Sequence, residues 1–397
     1  MLTKSDTDIS TVLAAFNQHN IDVALLVPTE TGMQKSIMDA TASLKKFFNE
    51  NQFHNYDAQG QGPEAKIVKP ICFVRPSTLE PSSVSLYRPQ SKSGDPRIWF
   101  NQLKNYAKPN NLLAVIIKGD ALYVVNCSDT QIMASLRNPS APLGALSTAA
   151  TPSSQLATTE LLEMITQISK KGFIQTKRAG PTGVGMTLET MLGISANSNK
   201  APDFKGIEIK AKRVGKGKSN RSNLFSKVPN WRLSPIGNAW NLLSTYGYHR
   251  DGKLRLNQEI NAKSPNSLGW GLELDTGRDW LKGTHENSET SVVKHLTTWE
   301  MDVLRSDLKA KHKETFWVSA NCRGKDVTEA FHYVQIEHTK QPRVGNLNAL
   351  IETGVISVDF LMSQKGPQSV RDHGYLFKIH QRDFPALFPP SQIYTLQ

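Results

Sequence analysis

Asp203, Glu208 and Lys210, all in one short segment, have the types and spacing of a site for phosphate-ester chemistry. A strand over 207–211 would alternate its side chains between two faces. Ile207, Ile209 and Ala211 would then enter a core. Glu208 and Lys210 would project together on the other side, about 7 Å apart at a rise of about 3.3 Å per residue. Asp203 precedes Lys205-Gly206, a turn that can fold it back beside Glu208. Hard Mg²⁺ is held by one or two carboxylates, with waters and phosphate oxygens completing its shell. An ion so held stabilises charge on a scissile phosphate and favours a bound hydroxide nucleophile. Lys210 would orient or deprotonate the attacking water, or neutralise charge at the phosphorus. Beside an anionic phosphate its charged form is favoured, which counts against the direct base role. The bare pattern also suits an edge strand carrying a solvated Glu-Lys pair, so its surroundings must decide.

Those surroundings are basic. The chain of 397 residues has a net charge of +12, and residues 160–230 alone hold 13 Lys and Arg against 5 Asp and Glu. Residues 1–135 are near neutral, with 13 basic and 12 acidic residues. A concentrated basic region suits a polyanion such as nucleic acid, although a solvated basic surface has the same composition. Lys177, Arg178, Lys212, Arg213, Lys216, Lys218 and Arg221 flank the acidic segment on both sides and are candidates for phosphate contacts.

The elements that must position these residues read as a mixture of helices and strands, an α/β or α+β pattern. Residues 1–136 predict one mixed α/β domain, with helices over 7–19, 36–52 and 96–107, strands at 23–28 and 84–89, and a hairpin over 112–126. Residues 137–158, rich in Ala, Ser, Pro and Thr, have the composition of a linker. Residues 159–397 predict a second domain. Its helices fall at 159–172, 186–192, 290–307 and 345–352, and its strands at 207–211, 315–319, 331–337, 354–362 and 375–379.

Three dispersed cysteines form no CxxC pair and argue against a disulfide framework or a zinc ribbon. The histidines do not cluster at zinc-ligand spacing. There is no Gly-x-Ser-x-Gly elbow. The first ten residues lack the basic start and apolar run of a signal peptide, and no apolar run approaches the roughly 20 residues of a membrane helix. The expectation is a cytoplasmic protein with no membrane partner.

The stretch GFIQTKRAGPTGVGMTLETMLGISANSNKAPDFKGIEIKAKR, 172–213, resembles the MvaI/BcnI family of restriction endonucleases, relatives of the mismatch-repair nicking enzyme MutH. In that family a G-[FW]-x-x-T-K-R-x-G-x-T-G-[VI]-G segment leads into a helix bearing a glutamate, and A-P-D-[FY]-x-x-I-E-I-K follows. NLFSKVP, 223–229, and RDHGYLFKI, 371–379, also have counterparts, so the likeness covers about residues 160–397. It implies a PD-(D/E)XK nuclease fold, with a central mixed sheet flanked by helices. It also implies a Mg²⁺ cofactor held by Asp203 and Glu208, and an active site of Glu189, Asp203, Glu208 and Lys210. The implied partner is double-stranded DNA, cut at a specific sequence by a monomer that nicks one strand at a time. A cognate DNA methyltransferase acting on the same site is a further expectation of this kind. Lys378 stands where a close family member has arginine. Lysine cannot make the same two-pronged contact to a guanine edge, so the recognition sequence does not transfer.

Within the last motif Asp372 would fix the tautomer of His373 for reading a base edge, with Arg371 and Lys378 beside it. His249 and Arg250 are weaker candidates for a DNA-contacting loop. The Thr182–Gly185 loop reads as a tight turn positioning Glu189, with a phosphate contact as a second role. YRPQSKSGDPRIWF, 87–100, interleaves Arg88, Lys92 and Arg97 with Tyr87 and Trp99, as nucleic-acid binders do. It marks residues 1–136 as a possible effector or DNA-recognition module, against a plain structural role. Two other readings of the whole chain are a partner-activated repair nickase and a DNA-binding module without catalysis.

Overall fold

The computed structural model describes residues 2–91, 94–148, 156–194, 202–215 and 221–396. Lys92, Lys216 and Lys218, named above as basic candidates, lie outside the described residues, as does the 149–155 part of the expected linker. The chain forms two compact units. One comprises 150–222, 306–344 and 388–397, and the other 1–149, 223–305 and 345–387.

The smaller unit is built on a mixed sheet. Strand Glu208–Arg213 runs parallel to Glu314–Arg323, which pairs antiparallel with Ala330–Lys340. That strand in turn pairs antiparallel with Gln392–Thr395 and with the short Ile174–Gln175. Alternation sorts the two faces. Ile209, Phe316, Val318 and Ile336 enter a core with Leu161, Ile165 and Ile168 of helix Leu156–Ser169 and with Val184 and Leu188 of helix Gly183–Met191. Each fully buried side chain of this size stabilises by about 1.5–3 kcal/mol. The other face carries Glu208 and Lys210, whose neighbours across the parallel pairing are Thr315 and Trp317. The parallel pair is separated in sequence by 223–305, which belongs to the larger unit.

The larger unit holds three sheets. A seven-stranded mixed sheet is ordered 24–26, 113–118, 121–126, 67–74, 79–87, 97–100, 38–39. A five-stranded sheet is ordered 221–226, 369–380, 356–366, 253–260, 248–250, and a three-stranded meander uses 270–275, 280–286 and 293–300. Segments distant in sequence meet within this unit. Helix Ile9–Gln18 buries Val12, Leu13 and Phe16 and packs on Phe384–Leu387, with Asn17 Nδ2 donating to the Pro385 carbonyl at 2.8 Å. Lys46 pairs with Asp302 at 2.9 Å.

Several local expectations change. The described part of the expected linker, 137–148, is packed, with Ala141, Leu143 and Leu146 buried, and it lies in the same unit as 223–305 and 345–387. The expected helix over 290–307 is a strand, Val293–Glu300, followed by helix Met301–Lys311. Helical spacing of buried side chains begins only at Met301, Leu304 and Leu308, whereas Thr297 and Thr298 are β-branched and buried in the meander. The expected helix over 96–107 divides likewise. Ile98 and Phe100 alternate into the core of a strand, and Gln102, at φ +59°, breaks it before the short helix Leu103–Tyr106. The expected helix over 36–52 holds only for Ala42–Glu50, capped by Thr41. Strands 253–260, 270–275 and 280–286 were not expected at all.

Candidate active site

The turn before the acidic strand is built from two left-handed residues. Lys205 has φ +45° and Gly206 +91°, and Phe204 and Ile207 exchange both backbone hydrogen bonds, at 2.9 and 2.7 Å. Two positive φ values in succession match a type I′ hairpin turn, which suits a glycine in second place. The reversal brings Asp203 back alongside the strand, where its Oδ2 accepts from the Ile209 N–H at 2.9 Å.

Glu208 is 1% exposed. Its Oε1 pairs with Lys210 Nζ at 2.6 Å and with Lys311 Nζ at 3.0 Å. Lys311 ends helix Met301–Lys311 and adds a second ammonium that sequence reading missed. It sits among Lys309 and Lys313 in a basic stretch, and nothing in that pattern singles it out. Burial pushes the Glu208 carboxyl up, but the two ammonium groups outweigh it and hold the group below the usual carboxylate range. Asp203 is raised, by burial first and then by the Glu208 charge, with the Ile209 N–H and Lys210 opposing. Glu189 is also raised, by burial and by the charges of Asp203 and Glu208 against Lys210. The four expected residues thus lie within electrostatic reach of one another and, with Lys311, share one unit.

Glu189 owes its place to a tightly tied loop. At Gly183, the first residue of its helix, a Cβ would lie 2.3 Å from the Arg178 carbonyl oxygen, so no side chain fits without a shift. The Lys177 N–H donates to Thr187 Oγ1 at 3.0 Å, and the Tyr333 hydroxyl donates to the Val184 carbonyl at 2.8 Å. Arg213 clasps the same loop. Its guanidinium donates to the carbonyls of Gly180 and Pro181 at 2.9 and 2.8 Å and grips Glu329 bidentately at 2.6 and 2.7 Å. Expected as a phosphate contact, Arg213 here spends its donors on the fold.

The other basic candidates are placed as follows. Lys177 and Arg178 are exposed on the loop before Glu189. Lys212 follows Lys210 on the same face of the strand, and burial lowers its ammonium against the opposing charge of Glu337. His249, Arg371, His373 and Lys378 belong to the larger unit. His249 and Arg371 are exposed. Lys378 pairs with Asp359 at 2.5 Å. His373 Nε2 lies 3.0 Å from Ser363 Oγ, while Asp372 accepts from the Gly374 N–H at 2.6 Å. The expected Asp372–His373 hydrogen bond is thus replaced by a bond from Asp372 to backbone and one between His373 and a serine.

The donor set suits a hard divalent cation. Glu208 Oε2 is buried without a hydrogen-bond partner, an expensive state for a carboxylate oxygen. A cation between it and Asp203 would satisfy that oxygen and offset the mutual repulsion of the carboxylates. Among the described residues no group of three or more His, Cys, Asp and Glu is arranged to hold a metal ion alone. Two carboxylates completed by water and phosphate oxygens suit a hard divalent cation, whereas zinc favours His and Cys ligands.

The structure of restriction endonuclease MvaI in complex with its cognate DNA substrate matches with a TM-score of 0.54 at 24% identity, over 62% of this chain and 100% of that one. MvaI in the absence of DNA aligns over the same shares at 22% identity with a TM-score of 0.38. At this identity the first likeness is one of fold. No curated protein matches. The model of the MvaI/BcnI restriction endonuclease family matches residues 162–388, a span that includes all four expected active-site residues and more than half of the chain. The chain therefore belongs to the MvaI/BcnI restriction endonuclease family, a family of site-specific DNA endonucleases.

Proposed function

We propose that this protein hydrolyses phosphodiester bonds of double-stranded DNA at a specific sequence with Mg²⁺, as a type II restriction enzyme, acting as a monomer that nicks one strand at a time. The observation that carries the reading is the unpartnered, buried Glu208 Oε2 beside Asp203. Asp203 and Glu208 would hold the ion. Bound there, Mg²⁺ would supply Lewis-acid stabilisation of the scissile phosphate and a more acidic water. Lys210, fixed against Glu208, presents an ammonium to the attacked phosphate and orients the incoming water. Glu189, within electrostatic reach of Asp203 and Glu208, would hold a metal-bound water or position a neighbour. Lys177, Arg178 and Lys212 are the phosphate-contacting candidates of this unit. Arg371, His373, Lys378 and His249 are the base- and backbone-contacting candidates of the other. Residues 1–136 serve as an effector or recognition module. A cognate DNA methyltransferase and a cytoplasmic location complete the reading. Among the described residues no helix is long and apolar enough to cross a membrane.

The test is cleavage of a long unmethylated DNA in millimolar Mg²⁺ or in EDTA, with Asp203→Ala and Glu208→Ala beside the wild type. Discrete Mg²⁺-dependent fragments are expected. The variants should lose at least about 1000-fold in rate, because several kcal/mol of charge stabilisation goes with the ion and each 1.36 kcal/mol is tenfold. Nicked circles preceding linear plasmid would support single-strand action. Absence of cutting by the wild type under these conditions would overturn the restriction-enzyme reading.

A further inference from the structure

A second site lies in the larger unit, on the seven-stranded sheet. Adjacent antiparallel strands Leu79–Tyr87 and Arg97–Phe100 send Val84, Leu86, Ile98 and Phe100 into the core, each 0% exposed. The opposite face of the same strands is the one that water-facing strands fill with polar residues. Here it carries Ser85, Tyr87 and Trp99, half-buried around a cavity of about 560 Å³. That volume is in the range of small-molecule sites. Ser85 lies opposite Trp99, which puts Tyr87 and Trp99 on a diagonal, about 7–8 Å apart at their backbones. Rings held apart by about that backbone distance would admit a third flat ring between them. Neither ring packs on another aromatic side chain among the described residues.

The rim is cationic and built in advance. Lys66 and Arg88 line the cavity, and among the described residues no carboxylate does. Arg88 ties three segments of the wall together. Its Nε donates to the Gly94 carbonyl at 2.9 Å and its Nη1 to the Gln59 carbonyl at 3.1 Å, while its own carbonyl accepts from the Gly62 N–H at 2.8 Å. Those partners are neutral carbonyls, so the guanidinium charge is not cancelled. Such a wall needs little ordering when a ligand arrives.

We propose that this cavity binds a single unstacked nucleotide, its base against Trp99 and Tyr87 and its phosphate at Lys66 and Arg88. Base–aromatic stacking is tolerant of sequence, and a fixed pocket of this kind captures a base extruded from a duplex or already unpaired. The assignment deepens the reading of the chain as a DNA enzyme and rests on it for the source of the nucleotide. The same chemistry would accept a free nucleoside monophosphate.

The test uses the full-length protein in EDTA, which prevents metal-dependent cutting. Affinity is measured by anisotropy for a labelled duplex with one unpaired base and for its fully paired counterpart, and by tryptophan fluorescence for deoxynucleoside monophosphates. Trp99→Ala is paired with Lys66→Glu, an exposed position where folding is not at stake. The unpaired-base duplex should bind at least about tenfold more tightly than the paired one, with that preference lost in both variants. Variant-sensitive binding of monophosphates without any duplex preference would assign the site to the free nucleotide. If neither ligand responds to either variant while the wild type still cuts DNA in Mg²⁺, the nucleotide pocket is overturned and the nuclease reading stands. If the wild type fails to cut, the nuclease reading falls, and the monophosphate titration still decides the pocket.

Discussion

At the scale of single residues, the site depends on how many charges share the Glu208 carboxylate. Lys210 and Lys311 both contact Oε1, which leaves Oε2 for another partner. Removing Lys311 relaxes the orientation of Glu208 without touching the reacting atoms. Groups that orient a metal ligand typically cost 10–100-fold when lost. Lys311→Ala should therefore lower the cleavage rate about 10- to 100-fold and raise the Mg²⁺ concentration needed, with partial recovery in Lys311→Arg; unchanged Mg²⁺ dependence would refute the role. A second charge sits apart from catalysis. Glu314 accepts from Thr158 Oγ1 at 2.6 Å and pairs with His338 Nε2 at 2.8 Å. Burial raises its carboxyl, but the His338 and Thr158 hydrogen bonds prevail and hold it below its ordinary value of 4.5. A depressed folded pKa contributes stability above the unfolded value, and that stability is lost as pH falls through the folded one. Glu314→Gln should therefore be less stable than the wild type by about 1–3 kcal/mol near neutrality. In urea unfolding the gap should close below about pH 4.5, and a gap independent of pH would contradict this account.

Elements decide where those residues stand, and glycine controls two of the placements. At Gly206, φ +91° demands a left-handed residue, yet a Cβ there would meet nothing within 4 Å. Gly206→Ala should cost only the conformational penalty, about 1–2 kcal/mol. Gly183 is the opposite case, for its conformation is ordinary but a Cβ would lie 2.3 Å from backbone. Gly183→Ala must displace the start of the helix that carries Glu189, at about 1–3 kcal/mol of overpacking. We expect this variant to cut far more slowly than Gly206→Ala while both still bind DNA; equal rates for the pair would show that the loop does not position Glu189. The turn, the strand alternation and the meeting of Asp203 with Glu208 were legible because all three follow from neighbours in sequence. Lys311 was not, because the pairing of Glu208 with Thr315 that brings its helix close spans a hundred intervening residues. The clasp of Arg213 on Glu329 is illegible for a related reason, since the two residues are equally remote in sequence. The apolar spacing of Val293–Glu300 predicts helix because it merges into that of the helix beginning at Met301.

For the whole molecule, the family likeness and the packing divide the chain differently. The family match runs through 162–388, yet 223–305 and 345–387 belong to the compact unit that contains 1–149. The change of composition at 137–158 brackets one division between the units, at 149/150, but composition reports solvation and gives no sign that 223–305 and 345–387 join the first unit. The matched MvaI chain is covered in full by 62% of this one, so that fold is shorter than the present chain. Here helix Ile9–Gln18, with Val12, Leu13 and Phe16 buried, packs on Phe384–Leu387, and Lys46 is paired to Asp302. Each of those apolar side chains is worth about 1.5–3 kcal/mol when fully buried. Their sum is comparable with the 5–15 kcal/mol net stability of a typical domain. Residues 157–397 produced alone should therefore lose a cooperative thermal transition or melt more than about 10 °C below the full chain, since roughly 2–4 °C accompanies each kcal/mol at this size. Calorimetry of the two proteins decides the matter. A fragment that melts with the full chain and cuts the same DNA sites would make 1–149 an independent appendage, whereas a destabilised fragment would make it part of the structural frame of 223–305 and 345–387. In the second case, truncation would lower cutting through stability alone, so any recognition role for 1–149 must be tested by surface substitutions such as Lys66→Glu in the intact chain.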